Sequence, residues 1–276
     1  MADQLNLVFS PSSYSELFSL WNRYPAAVPY AGGTGLLRDQ GRQILTLPPV
    51  TLSLDKIEEM KRISRSERFL EIGAMVKLSQ ITELGKVVPN ILRRCLENIA
   101  GPQLRNMATI GGNICLPGRP MDSSVALNAL DAQYELRTAQ SSRWVSAARF
   151  LTMPGKNALN PQELLARIRI PLERWDYSAY KKFWGQASRS RVVVFLAKTQ
   201  KNILNDIKIV YKADTILRDR DSESILIGKH LPLGQRIASD FIGHWEDFLS
   251  GVQNIDELSR RELANFIEVN VYNLSE

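Results

Sequence analysis

Cysteine and histidine are nearly missing from this sequence: two of each, Cys95 with Cys115 and His230 with His244, in 276 residues. Two thiols cannot make a disulfide framework, and alone they cannot hold an iron–sulfur cluster or a structural zinc. No apolar run approaches the roughly 18 residues that mark a membrane-spanning helix. The start, Met1-Ala2-Asp3-Gln4, lacks the basic region and apolar stretch of a secretory signal. A soluble, cytoplasmic chain without a membrane partner is expected. Concentrated charge is missing too. The net charge is +6, but residues 177–276 hold 14 basic and 13 acidic side chains, so the excess is spread over the first part. With no basic run, zinc-finger spacing or aromatic RNA-reading motif, scattered Lys and Arg read as solvated surface, and no nucleic-acid partner is expected.

What is present suits a folded protein. Apolar residues make up 44% and charged ones 23%, enough for a core. The length fits two domains at roughly 100–200 residues each. The pattern changes near residue 176, so the expected division is 1–176 and 177–276.

Ser13 and Glu16 have capping-box spacing, and Leu17, Phe18, Leu20 and Trp21 form an apolar stripe, which predicts a helix. Strands are predicted at Val28–Ala31, Gln43–Leu47 and Phe69–Ile72, and helices at Leu78–Leu84 and Ile91–Ile99. A further helix carries Val125, Leu127 and Leu130. Asn160-Pro161-Gln162-Glu163 reads as a helix start, and Ala166, Ile168 and Ile170 alternate with Arg167 and Arg169 as a strand closed by Pro171. In the second part, strands at Val192–Ala197 and Ile207–Tyr211 precede two helices. One carries Ile237, Phe241, Trp245, Phe248 and Leu249 and ends at Gly251. The other opens on a Ser259/Glu262 capping box and carries Leu263, Phe266, Ile267 and Val271. The fold class is α+β, in two abutting domains.

Chemistry concentrates in two glycine segments. Tyr30-Ala31-Gly32-Gly33-Thr34-Gly35-Leu36 follows a strand, and glycines there let backbone N–H groups approach a ligand with no Cβ in the way. Successive amides at a strand-to-helix junction make an anion cradle suited to a diphosphate. No Gly-Lys-Ser/Thr follows and Gly-x-Gly-x-x-Gly is absent, so neither common nucleotide fingerprint applies, and the segment taken alone reads first as a plain tight turn. The second segment runs Gln103-Leu104-Arg105-Asn106-Met107-Ala108-Thr109-Ile110-Gly111-Gly112-Asn113-Ile114-Cys115, with Pro117 and Asp122 beyond. It offers a second set of backbone and amide donors, and Asp122 a carboxylate for sugar hydroxyls. Two such segments with a diol-binding acid suit an extended dinucleotide.

The chain resembles the flavin subunit of the molybdenum hydroxylases, the family of xanthine dehydrogenase and carbon monoxide dehydrogenase. Ala31-Gly32-Gly33-Thr34-Gly35-Leu36 matches that family's Ala-Gly-Gly-Thr-Asp-Leu signature. Gln103 to Ile114 matches its second signature almost residue for residue, with Asp122 in place. Leu127–Ala132, Glu163-Leu164-Leu165, Ile170-Pro171, and Tyr180, Lys182, Gly185 and Gln186 extend the likeness over essentially the whole chain. The resemblance implies a two-subdomain FAD-binding domain, of the vanillyl-alcohol-oxidase-like kind, before a small α+β domain with a three-stranded sheet and helices. It also implies FAD, with its diphosphate over Gly32–Thr34. Tyr30, Ala31, Gly35 and Leu36 complete the first segment. Ala108, Thr109, Gly111, Gly112 and Asn113 would hold the adenosine half and phosphates, and Asp122 a sugar or ribityl hydroxyl. Ile99, Cys115, Leu165 and Lys182 fall where the family places residues near the flavin, Lys182 as a positive charge favouring the reduced ring.

Plainer readings stand beside these. Leu165 and Ile99 suit any core, Cys115 a small hydrophobe, Lys182 with Lys181 a solvated surface, and Arg105 a loop brace. Gly35 departs from the family's acid, and Ser190 stands where an aspartate is common. The resemblance implies no acid–base catalyst and no metal ligand in this chain. Electrons would come from an iron–sulfur subunit, with substrate oxidation on a molybdopterin subunit, and would leave through FAD to NAD or another acceptor. Two cysteines exclude the cysteine-rich cluster loop that some relatives insert. The alternatives are a free-standing flavin oxidase and a flavin-free scaffold or RNA-binding subunit that kept the fold.

Overall fold

A computed structural model describes residues 6–36, 46–118, 120–153, 156–184, 190–252 and 255–274. It divides into two compact units: residues 1–123 with 131–172, and residues 124–130 with 173–276. No helix among the described residues is long and apolar enough to cross a membrane.

The first unit opens with a three-stranded parallel sheet of order β1-β3-β2, formed by β1 (Leu7–Phe9), β2 (Val28–Tyr30) and β3 (Val50–Ser53). Helix α1 (Tyr14–Arg23) starts as its sequence predicts: the Ser13 hydroxyl accepts from the Glu16 amide at 3.2 Å, and Leu17, Phe18 and Trp21 are buried. The Glu16 carboxylate reaches one residue further back than a capping box requires, to the Ser12 amide at 2.7 Å. Of the predicted strand Gln43–Leu47, residues 43–45 lie outside those described, and Thr46 and Leu47 form no strand.

A five-stranded antiparallel sheet follows, order β4-β5-β10-β6-β7, with β4 (Ile63–Arg65), β5 (Phe69–Gly73), β6 (Gln133–Arg137), β7 (Ser142–Ser146) and β10 (Leu164–Pro171). A small hairpin, β8 (Leu151–Met153) with β9 (Lys156–Asn157), precedes β10. The alternation predicted on β10 is realised. Ile168 and Ile170 are fully buried, while Arg167 reaches Glu135 at 2.8 Å and Glu71 at 2.9 Å on the opposite face. Among the described residues, short helices α2 (Leu78–Glu83), α3 (Asn90–Glu97), α4 (Pro102–Arg105), α5 (Ile110–Cys115), α6 (Asp122–Ala129) and α7 (Ala147–Phe150) belong with these strands. Beyond its first two residues, α6 groups with the second unit.

The helix start read at Asn160–Glu163 is wrong. These residues form a turn closed by the Glu163 amide donating to the Asn160 carbonyl at 3.1 Å, with Gln162 at φ 56°. The Glu163 carboxylate accepts from Arg143 Nε and Nη2, each at 2.7 Å, and from the Asn160 amide at 2.8 Å. Leu164 already pairs with Arg137 of β6, so strand pairing overrides the local helix signal.

The second unit is an antiparallel sheet, β11 (Tyr177–Trp184), β12 (Ser190–Gln200), β13 (Ile203–Lys212) and the two-residue β14 (Ile216–Leu217), in that order. It has one short strand more than the family likeness implied. Three helices follow: α8 (Arg220–Leu226), α9 (Gln235–Gly251) and α10 (Glu257–Asn273). Phe241, Trp245 and Leu249 of α9 and Leu263, Ile267 and Val271 of α10 share one core with Val193, Phe195, Ile209 and Tyr211. Each such buried side chain contributes roughly 1.5–3 kcal/mol relative to exposure. The Ser259/Glu262 capping box is not used: Asp256 is the N-cap, accepting from the Ser259 amide at 2.8 Å, and Glu262 pairs with Arg191 at 3.1 Å.

Candidate cofactor cleft

The parallel sheet of the first unit fixes the cleft. β2 delivers Tyr30 into Ala31-Gly32-Gly33, and residues 34–36 begin a helical turn. Gly33 has φ +69°, a conformation L side chains rarely adopt, and a Cβ there would also strike the Tyr30 hydroxyl. At Gly32 a Cβ would collide with the Met107 carbonyl. The two glycine segments therefore touch backbone to backbone, which only glycine at 32 permits. The first amides of a helix have no intrahelical acceptor, and among the described residues none is found for those of Gly33, Thr34 and Gly35.

The second segment is built differently. Thr109 is the N-cap of α5, its hydroxyl accepting from the Gly112 amide at 3.1 Å. The Gly111 amide donates to the Ala74 carbonyl at 2.8 Å, and a Cβ on Gly111 would lie 2.6 Å from that of Ala74. The amides of Gly111 and Gly112 are thus engaged within the protein and are not the ligand donors the sequence suggested. Gly111 is glycine for packing. Of Thr109, Gly111, Gly112 and Asn113, the donors left without an acceptor among the described residues are the Thr109 hydroxyl hydrogen and the Asn113 carboxamide nitrogen.

A cleft of about 220 Å³ is walled by Tyr30 through Leu36 together with Thr109, Gly112 and Cys115. Of the residues singled out in sequence, those ten come together. Ile99, Ala108, Gly111, Asn113, Asp122 and Leu165 belong to the same unit but do not line the cleft, and Lys182 lies half-buried on β11 of the other unit. Leu165 is 2% exposed and pairs with Leu136 in the sheet. Val28, Pro29, Pro48, Thr51, Leu116 and Pro117 also line the cleft and were missed. Val28 and Thr51 are register partners across β2 and β3, a pairing that one-dimensional alternation does not reveal.

No lining residue carries a charge, so nothing in the wall repels a phosphate. Burial pushes the Cys115 thiol up to about 12, so it stays protonated and unreactive. Behind the wall, one Arg105 nitrogen donates to the carbonyls of Glu97, Ile99 and Ala100 at 3.0, 3.1 and 2.6 Å. Arg105 is the loop brace of the plainer reading: it satisfies carbonyls past the end of α3 and holds the segment that carries Met107 to Gly32.

Residues 3–173 match the family model described as the FAD binding domain in molybdopterin dehydrogenase. The chain belongs to this family. FAD is its cofactor, and it is an oxidoreductase subunit of the molybdenum hydroxylase type. It is 30% identical over 209 residues to the glyceraldehyde dehydrogenase medium chain of Sulfolobus acidocaldarius, covering 74% of each chain. It is 26% identical over 196 residues to the nicotinate dehydrogenase FAD-subunit of Eubacterium barkeri, covering 67% of this chain and 64% of that one. Of the much longer aldehyde oxidase 1 of Bos taurus it spans only 15%. Its fold matches quinoline 2-oxidoreductase from Pseudomonas putida 86 with a TM-score of 0.82 and 22% identity, over 98% of this chain and 96% of that one. The cleft fits the cofactor: glycine amides with no acceptor among the described residues, a wall without charge and the close approach that Cβ-free positions allow are what a diphosphate requires.

Proposed function

We propose that the chain is the electron-transfer subunit of a molybdenum hydroxylase, taking electrons from an iron–sulfur partner and passing them to NAD or another acceptor, with substrate oxidised on a separate molybdopterin subunit. The observation that carries this reading is the meeting of both glycine segments in one uncharged cleft, Gly32 resting on the Met107 carbonyl. Bound FAD supplies the capacity to accept and release electrons. The residues do the rest.

The amides of Gly33, Thr34 and Gly35 take the diphosphate, each donor pre-oriented by the turn so that binding does not have to order it. Thr109 holds the start of α5 and presents its hydroxyl, and Gly112 keeps that wall free of a side chain. Val28, Pro48 and Leu116 exclude water with apolar surface. Asp122 accepts from sugar hydroxyls, and Ile99, Cys115 and Leu165 pack near the ring. Lys182 is assigned the positive charge that favours the reduced ring.

The visible spectrum of the purified chain, with heat release of the chromophore, tests the reading. Flavin bands with FAD released and no iron are expected. A colourless chain that refuses added FAD would overturn it. Lys182→Ala is expected to retain FAD and to lower its reduction potential; an unaltered potential moves that role elsewhere.

A further inference from the structure

We infer that Gln162 is a positioning residue: its carboxamide ties the end of α1 to the turn that opens β10, and so fixes where β2 delivers the first glycine segment. The inference rests on the FAD reading above and adds a residue to it. Gln162 Nε2 donates to the Trp21 carbonyl at 2.9 Å, across 141 positions of chain. A carbonyl can only accept, so the contact selects the nitrogen end of the carboxamide. The Trp21 carbonyl lies in the last turn of α1, and the residue four further on, whose amide would close the helical bond, is Pro25. Proline has no amide hydrogen, and Gln162 supplies the missing donor.

Gln162 holds φ 56°, a conformation uncommon outside glycine. Such strain persists only where the surroundings over-determine it. Here the Glu163 amide donates to the Asn160 carbonyl at 3.1 Å, the Asn160 amide returns to the Glu163 carboxylate at 2.8 Å, and Leu164 pairs with Arg137. The same corner of the sheet holds α1 a second time, because the Arg137 guanidinium lies 4.3 Å from the centre of the Tyr14 ring. Tyr14 and Trp21 stand about 10 Å apart along the helix axis, so the two ties secure both ends of α1. The buried Leu17, Phe18 and Trp21 keep its apolar face down, while a directional hydrogen bond resists sliding along that face. A short turn, closed by the Ala27 amide donating to the Tyr24 carbonyl at 2.9 Å, leads from α1 into β2 and the glycines.

The test is FAD titration of the apo full-length chain by flavin fluorescence, with the thermal midpoint of the apo chain measured alongside. Gln162→Glu keeps the shape of the side chain and removes its donor. Gln162→Gly removes the side chain and takes the left-handed backbone without strain. Both are expected to raise the Kd for FAD about three- to tenfold. The midpoint of Gln162→Gly should stay close to the parent's, since relief of strain offsets the lost bond. A role in stability alone would move the midpoint and leave the Kd. Parent-like Kd in both variants overturns the inference and leaves the FAD reading standing, whereas a parent chain that refuses FAD overturns that reading and the inference with it. Weakening in only one variant overturns the inference as well, because loss of the donor is common to both. If Gln162→Gly does not fold, Gln162→Asn, which tolerates the left-handed backbone but is one methylene short, takes its place with the same expectation.

Discussion

Leu116 fills the space beside the Cα of Gly35: a Cβ added there would run into the Leu116 Cδ1 atom, and both residues line the cleft. The departure from the family's acidic residue is thereby matched by a neighbour and leaves no hole in the wall. Gly35→Asp is predicted to destabilise the chain by no more than about 1 kcal/mol, since the Leu116 Cδ1 methyl is a side-chain end that can shift. It is also expected to weaken FAD binding about tenfold, one part in ten corresponding to about 1.4 kcal/mol. Adding Leu116→Ala should recover most of both losses. Thermal midpoints and FAD titration decide it; a double variant no better than the single one means the collision is not the cause.

Gly32 tolerates no side chain, because its neighbour is the Met107 backbone rather than a rotamer that can move aside. Gly32→Ala must separate the two glycine segments. A FAD content of purified protein below about a tenth of the parent is expected, with a stability loss of about 2 kcal/mol. Flavin-to-protein absorbance ratio and urea unfolding are the measurements, and a fully loaded variant would refute the contact.

Arg105→Ala leaves the carbonyls of Glu97, Ile99 and Ala100 without their shared donor. A loss of about 2–3 kcal/mol is expected, and Arg105→Lys should restore only part of it, since an ammonium lacks the planar guanidinium's reach. Because the braced segment carries Met107, FAD affinity should fall with stability in the alanine variant. Affinity unchanged at reduced stability would uncouple the brace from the cleft.

The Arg143–Glu163 pair predicts an acid-side stability limb. The two Arg143 hydrogen bonds, with the Asn160 amide as a further donor, hold the Glu163 carboxyl below its ordinary value of 4.5. Its contribution is therefore present above that value and lost as pH falls through the lowered one. Arg143→Ala should cost about 2 kcal/mol at pH 7 by leaving a buried carboxylate without its partner. It should also flatten the fall in stability below pH about 4.5. Urea midpoints measured from pH 3 to 7 check both.

Neither cysteine should behave as a redox thiol. Cys95 is fully buried, and burial pushes Cys115 up to about 12. At pH 8 the thiolate fraction of Cys115 is of order one in ten thousand. Iodoacetamide should leave Cys95 unmodified in the folded chain, label Cys115 there only slowly, and label both in urea, as mass spectrometry will read; rapid labelling of Cys115 in the folded chain would contradict its raised thiol.

Much of this protein was determined by its sequence. Hydrophobic periods set α1, α9 and α10, alternation set β10, and β-branched runs set β12 and β13, because those signals depend on a residue's own neighbours along the chain. The glycine segments were legible for the same reason: a positive φ at Gly33 is a local demand. Tertiary structure decided the rest. Asn160–Glu163 carries helix-start residues yet forms a turn, since the Glu163 carboxylate meets Arg143 and Leu164 pairs with β6. Asp256 displaces Ser259 as N-cap, its carboxylate taking both the Ser259 amide and the Ser259 hydroxyl, while Glu262 pairs with Arg191. The amides of Gly111 and Gly112 turn inward to Ala74 and Thr109, and Val28, Pro48, Thr51 and Leu116 reach the cleft from segments far apart in the chain. Local preference amounts to a few tenths of a kcal/mol to about 1 kcal/mol per residue, and a buried ion pair, a strand ladder or a backbone contact outweighs it wherever the fold brings one within reach.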